Sequence, residues 1–94
     1  MQLKPVDNKK AFLVTGAAGF IGMHVAKSLL ELGCTVIGLD NINDYYEVSL
    51  KYARLDILKK YDGFTFYKID LADQRALEAL FREHRIDVVI NLAA

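Results

Sequence analysis

Gly16, Gly19 and Gly22 stand at intervals of three within LVTGAAGFIGMHV (residues 13–25). Glycine inside ordered structure costs roughly 0.5–1 kcal/mol relative to alanine. Three of them so close together therefore mark a place where backbone must come near something. The run before them, AFLVT (residues 11–15), is continuously apolar, as a parallel strand buried on both faces requires. After them Ile21, Val25, Leu29 and Leu32 recur at helical spacing up to Gly33, a residue suited to the left-handed position beyond a helix end. A glycine turn between a buried strand and a helix presents free N–H groups and a positive dipole end, which together attract a phosphate. In this arrangement Gly16 makes the sharp turn, Gly19 admits a pyrophosphate and Gly22 brings the helix close to the sheet. A mononucleotide P-loop fits poorly, because no Gly-Lys-Ser/Thr follows.

The remaining pattern repeats the strand-helix alternation. TVIGLD (residues 35–40) reads as a second strand and residues 48–61 as a helix closed by YDG. FTFYKID (residues 64–70) reads as a third strand, Asp73 caps a helix whose Leu77, Leu80 and Phe81 share a face, and DVVINLA (residues 87–93) reads as a fourth strand. The order β-α-β-α-β-α-β predicts an α/β fold, a Rossmann-type doubly wound parallel sheet with helices on both faces and right-handed crossovers. Residues 1–10 form a polar leader and residues 11–94 one domain. No helix follows the fourth strand, so the expectation is an N-terminal portion of a longer protein, with the rest of the sheet and a substrate domain elsewhere.

Asp40 ends the second strand, 40 − 16 = 24 residues beyond Gly16. A dinucleotide fold places an adenosine-ribose carboxylate at about 20 residues. A carboxylate there accepts from ribose hydroxyls and repels a 2′-phosphate, which favours NAD over NADP. No Arg or Lys lies between Asp40 and Lys51 to clamp such a phosphate.

Other classes are excluded by composition. Twelve Lys and Arg balance twelve Asp and Glu, so no global field draws the chain to nucleic acid or an acidic membrane. No apolar run nears the roughly 18 residues a membrane span needs, and the leader lacks a signal-peptide centre. The expectation is a cytoplasmic protein. The single cysteine, Cys34, reads as a small core residue, and neither His24 nor His84 has a partner at metal-ligand spacing, so no metal site is expected. Residues 73–85 read as the solvated face of a helix, with Glu78 and Arg82 placed to pair at i,i+4. Tyr45 and Tyr46 follow Asp40 and either cover the adenine side of a cofactor or pack the loop on the next helix.

TGAAGFIG resembles the TGxxGxxG fingerprint of the extended short-chain dehydrogenase/reductase superfamily. DNINDYYEVSLK (residues 40–51) resembles more narrowly the UDP-glucuronate 4-epimerases and related nucleotide-sugar epimerases, and the likeness continues through DLAD (residues 70–73) and DVVINLAA (residues 87–94). The resemblance implies that Gly16, Gly19 and Gly22, with backbone around Ala18, Phe20 and Ile21, hold the pyrophosphate of NAD. Asp40 would bind the adenosine ribose with Asn41 and Asn43 beside it, Asp70 and Leu71 would flank the adenine, and Leu92, Ala93 and Ala94 would line the cofactor. Asn91 departs from the His these epimerases more often show before Leu-Ala-Ala.

In such enzymes a Tyr of Tyr-x-x-x-Lys, aided by a Ser or Thr, takes the sugar 4-hydroxyl proton as hydride leaves C4. The 4-keto sugar then turns over, and hydride returns to its other face. The Lys holds down the phenol's pKa, which is about 10 when unperturbed. No catalytic residue is expected in this chain: the positions four before its lysines include Met23, Glu47, Leu55, Asp56 and Phe64, and none is Tyr. The resemblance further implies a UDP-sugar partner, a homodimer and a place in polysaccharide biosynthesis. A nucleotide-sugar 4,6-dehydratase or reductase of the same superfamily, or a non-catalytic NAD-binding module, would present a similar chain.

Overall fold

The computed structural model describes residues 7–42 and 48–93. The sequence expectations for Asn43, Tyr45, Tyr46 and Ala94 lie outside the described residues. The elements follow in the order β1 (Ala11–Thr15), α1 (Phe20–Glu31), β2 (Thr35–Asp40), α2 (Val48–Leu58), β3 (Phe64–Lys68), α3 (Gln74–Glu83) and β4 (Val88–Asn91). All seven elements expected from the sequence are present. Strand β4 begins one residue later than expected, and α2, β3 and β4 stop two or three residues sooner than the sequence pattern suggests. Helix α2 gives way to a turn in which the Tyr61 N–H bonds the Leu58 carbonyl, and the chain beyond β3 bends so that the Asp73 N–H bonds the Asp70 carbonyl.

The four strands form one sheet in the order β3-β2-β1-β4, and each pairing is parallel. Strand β1 is central, pairing Leu13 with Ile37 on one side and with Val89 on the other. That position explains its unbroken apolar run, since every β1 residue is buried. Alternate residues feed two cores. Phe12, Val14 and Val36 pack beneath α1 and α2 with Ala26, Leu29, Leu55 and Leu58, while Leu13, Ile37 and Leu39 pack against Leu80 of α3. Helices therefore cover both faces, as the alternation of strands and helices predicts.

The helix ends follow local chemistry. Gly33 has φ +87°, and the Gly33 N–H bonds the Leu30 carbonyl while the Cys34 N–H bonds that of Leu29, which closes the last turn of α1. Asp73 caps α3, accepting from the Ala76 N–H at 3.1 Å. Cys34 is buried, and burial pushes its thiol pKa up, in keeping with a core role. Among the described residues the ion pairs are Lys51–Asp40 and Arg85–Asp87, so the Glu78–Arg82 pair expected from spacing is not formed. Both side chains sit on an exposed surface, where such a pair gains little over hydration. No helix among the described residues is long and apolar enough to cross a membrane.

Leu55 is fully buried between α1 and the sheet. Leu55→Ala is expected to lower stability by about 2–5 kcal/mol in urea denaturation. At the opposite end of the sheet from the strand exits, Asp87 Oδ2 accepts from the Ala11 N–H at 2.8 Å. That bond holds the Asp87 carboxyl below its ordinary value of 3.8, against the opposing effect of burial and with help from the charges of Arg85 and Lys10. A carboxyl whose folded pKa is depressed adds stability above its unfolded value and loses it as pH falls through the folded one. Thermal midpoints measured from pH 6 down to pH 2 should therefore fall less steeply below about pH 4 in Asp87→Asn than in the parent.

Candidate functional site

Because the strands are parallel, their C-terminal ends lie along one edge. The glycine turn after β1, Asp40 to Ile42 after β2, Asp70 and Leu71 after β3, and Leu92 and Ala93 after β4 leave the sheet at that edge. Strands β2 and β3 are laid down on one side of β1 and β4 on the other, so the strand order reverses between β1 and β4 while every strand stays parallel. In open α/β sheets, ligands bind in the crevice at such a switch point.

Gly16 has φ +72°, and a Cβ there would lie 3.0 Å from the Ala93 nitrogen and from the Leu92 carbonyl group. The residue must be glycine both for its conformation and for its contact with the exit of β4. A Cβ on Gly22 would overlap the Gly16 carbonyl oxygen and come within 2.7 Å of its carbon. The spacing argument places Gly22 against the sheet; its closest neighbour is instead the glycine turn itself. Gly19 is the N-cap of α1 and offers no side-chain acceptor. The amides of Phe20, Ile21 and Gly22 are thus first-turn donors that helix geometry leaves without intrahelical acceptors. They face a position where an anion also meets the positive end of the helix dipole. The Phe20 and Ile21 side chains are 65 % and 64 % exposed beside them.

Asp40 is buried at 6 % exposure, and its carboxylate is already engaged. Oδ2 accepts from the Ala18 N–H at 3.2 Å, while Oδ1 accepts from the Ile42 N–H at 2.8 Å and from Lys51 Nζ at 3.1 Å. The carboxylate therefore ties together the glycine turn, the chain leaving β2 and helix α2. A carboxylate has about four acceptor positions, and donors among the described residues take three of them. The sequence places no cation between Asp40 and Lys51, yet the fold brings Lys51 itself onto the carboxylate and offsets part of its charge. Ile42 carries φ +54°, an unusual conformation for a β-branched residue. The Asp40–Ile42 bond holds it there as the third residue of an Asx turn. Asn41 is exposed next to it.

Asp70 is exposed and accepts from the Ala72 N–H at 2.9 Å, with Leu71 exposed beside it. On the other side of the crevice, Thr15 Oγ1 donates to Asn91 Oδ1 at 2.5 Å and accepts from the Leu92 N–H at 3.0 Å. Buried Thr15 thus fixes the path of the chain out of β4. Asn91, the departure from His, is its partner.

The structure brings the described candidate residues at the ends of β1, β2 and β4 to one edge of the sheet and sets Asp70 and Leu71 on the same edge beyond β3. Thr15, Ile42, Lys51 and Arg54 were not singled out from the sequence. Thr15 adjoins Gly16, and Lys51 and Arg54 are three apart on one helix, but only the docking of α2 reveals what those cations reach. Among the described residues no cluster of three or more His, Cys, Asp or Glu could hold a metal ion.

A glycine turn into a helix and a carboxylate at the next strand end, set at a switch point, define a Rossmann-type dinucleotide fold. The chain belongs to the GDP-mannose 4,6 dehydratase family, whose model matches residues 13–94. It is 52 % identical over 83 residues to the UDP-glucuronate 4-epimerase of Thermodesulfobacterium geofontis, a match covering 88 % of this chain and 26 % of that protein. The crystal structure of the Bacillus cereus UDP-glucuronic acid 4-epimerase in complex with UDP-glucuronic acid and NAD superposes with TM-score 0.78 at 36 % identity, over 89 % of this chain and 26 % of that one. The UDP-glucose 4-epimerase of Thermotoga maritima, solved with UDP-glucose, matches with TM-score 0.70 at 36 % identity, over 89 % of this chain and 24 % of that one. The chain spans about a quarter of the length of these relatives.

Thr15→Val removes the hydroxyl shared by the Asn91 amide and the Leu92 N–H, while the Leu92 N–H keeps its bond to the Thr15 carbonyl at 3.2 Å. The substitution is expected to cost about 0.5–1.5 kcal/mol in chemical denaturation and to shift the Leu92 amide resonance while α1 stays intact.

Proposed function

We propose that this chain is the cofactor-binding portion of an NAD-dependent nucleotide-sugar epimerase that inverts C4 of a UDP-sugar, UDP-glucuronate being the favoured substrate. The reading rests above all on one juxtaposition: first-turn amides without a side-chain cap lie beside a buried carboxylate at the switch point, in a chain related to epimerases solved with NAD and UDP-sugar. The residues fit the cofactor. Gly16 and Gly22 let the turn, the helix and the exit of β4 pack together, and a pyrophosphate would accept from the Phe20, Ile21 and Gly22 amides, with Ala18 held behind them by Asp40. Asp40 would accept from the adenosine ribose, with Asn41 and Asn43 next to it in sequence. Asp70 and Leu71 would border the adenine, and Leu92, Ala93 and Ala94 the part of the cofactor nearer β4.

NAD, when bound, accepts and returns the hydride of the sugar C4. This chain contributes orientation and charge to that step. Its helix dipole and amides hold the diphosphate, and Asp40 fixes the adenosine end. Its residues include no Tyr-x-x-x-Lys, so the proton of the 4-hydroxyl is not moved by any group in these 94 residues. The UDP-sugar is accordingly assigned to the longer enzyme, together with homodimer assembly, a cytoplasmic location and a role in polysaccharide biosynthesis. Residues 11–94 form the NAD-binding domain in this reading and residues 1–10 a leader.

The family name supports a second reading, a 4,6-dehydratase, because the cofactor halves of the two enzymes are alike. Products separate them: an epimerase returns the C4 epimer of its UDP-sugar, whereas a dehydratase yields a 4-keto-6-deoxy sugar and loses water. For the chain itself the test is calorimetric. NAD should bind at least about tenfold more tightly than NADP, the cost of placing a 2′-phosphate against a carboxylate. Asp40→Ala removes that repulsion and frees Lys51, so the gap should narrow or close. Equal affinities in the parent would reject the role of Asp40.

A further inference from the structure

Helix α2 reaches the glycine turn through Arg54. Its Nη1 donates to the Ala18 carbonyl at 3.2 Å, and its guanidinium carbon lies 6.0 Å from the centre of the Phe20 ring. Phe20 in turn meets the His24 ring edge-on, with centroids 4.7 Å apart. The peptide that Arg54 holds is the one entering the N-cap of α1. The amide on its other side, Gly19 N–H, bonds the Gly16 carbonyl at 3.0 Å. One residue earlier, Ala18 N–H is held by Asp40. The Ala18–Gly19 peptide is thus gripped at its amide from within the turn and at its carbonyl from α2.

We infer that Arg54 is a positioning residue of the phosphate turn, one that sets the Ala18–Gly19 peptide and the Phe20 amide for a diphosphate. The inference rests on the NAD-binding reading above and assigns a specific part of that site to α2. Two physical effects act together. The charge-assisted hydrogen bond turns the negative end of the Ala18 carbonyl toward the guanidinium and leaves N–H groups to face the ligand. The cation over the exposed Phe20 ring restrains the first residue of α1, whose amide is one of the donors. A neutral side chain of similar length, as in Arg54→Met, supplies neither effect. Arg54→Lys restores a cation but loses the planar fork and its stacking on the ring.

The test uses NAD titrations of the 94-residue chain by calorimetry, with amide NMR of the free protein, at a temperature where each variant is folded. Arg54→Met should weaken NAD binding by about tenfold, as loss of one charge-assisted bond implies. Arg54→Lys should recover most of it. In the free protein Arg54→Met should displace the Gly19 and Phe20 amide resonances. If Arg54→Met binds NAD within about twofold of the parent, or leaves those amides in place, the inference is overturned. That includes the case in which only its thermal midpoint falls, which is what simple bracing of α2 would produce. Should Arg54→Met not fold, Arg54→Gln replaces it, and parent-like affinity in that variant overturns the inference equally. Absence of NAD binding by the parent removes the reading on which the inference rests, and shows itself in the parent alone.

Discussion

The contact of α1 with the turn that precedes it governs the geometry of the binding edge. A Cβ on Gly22 would overlap the Gly16 carbonyl, and a Cβ on Gly16 would press on the chain leaving β4. Glycine at these two positions lets strand, turn, helix and neighbouring strand approach within van der Waals contact. Close packing in the interior tolerates no extra atom at such a junction without displacement of backbone. The first-turn amides of α1 come to face the switch point because nothing intervenes between the helix and the turn.

Around that contact the polar groups have mostly structural partners before any ligand is considered. Asp40 holds Ala18, Ile42 and Lys51; Thr15 holds Asn91 and Leu92. Buried side-chain polar atoms without a partner are absent among the described residues. Preorganisation of this kind lowers the entropy lost when a ligand binds, because the groups are already fixed. It also qualifies the simplest account of cofactor choice. A carboxylate that shares its charge with Lys51 repels a 2′-phosphate less than a free one, so in the proposed cofactor site selectivity would rest on the pair.

How far the sequence could be read differs between elements for identifiable reasons. Strand β1 was legible because a central parallel strand is apolar throughout, and α3 because Asp73 caps it and its apolar residues share one stripe. The ends of α2, β3 and β4 were less legible, since a turn ends α2 and an Asx bond at Asp70 follows β3 where the residue types alone do not mark the stop. At the site, Gly16, Gly19, Gly22 and Asp40 were legible from spacing, because backbone approach and a strand-end carboxylate each need one residue type at one place. Lys51 and Arg54 were not, since a cation on a helix surface looks the same in sequence whether it faces water or a neighbouring turn. Ile42 was not either, as nothing in its residue type suggests a positive φ.

The sequence by itself determined the alternation of strands and helices, the glycine turn and the carboxylate at the end of β2. These are local consequences of periodicity and of the absence of a side chain. Only the tertiary structure decided that Gly22 meets the turn, that Thr15 and Asn91 join β1 to β4, and that Lys51 and Arg54 close over Asp40 and Ala18. Those contacts join residues as far as 76 positions apart in the chain, and they exist only once the sheet order and the docking of α2 have brought separate segments together.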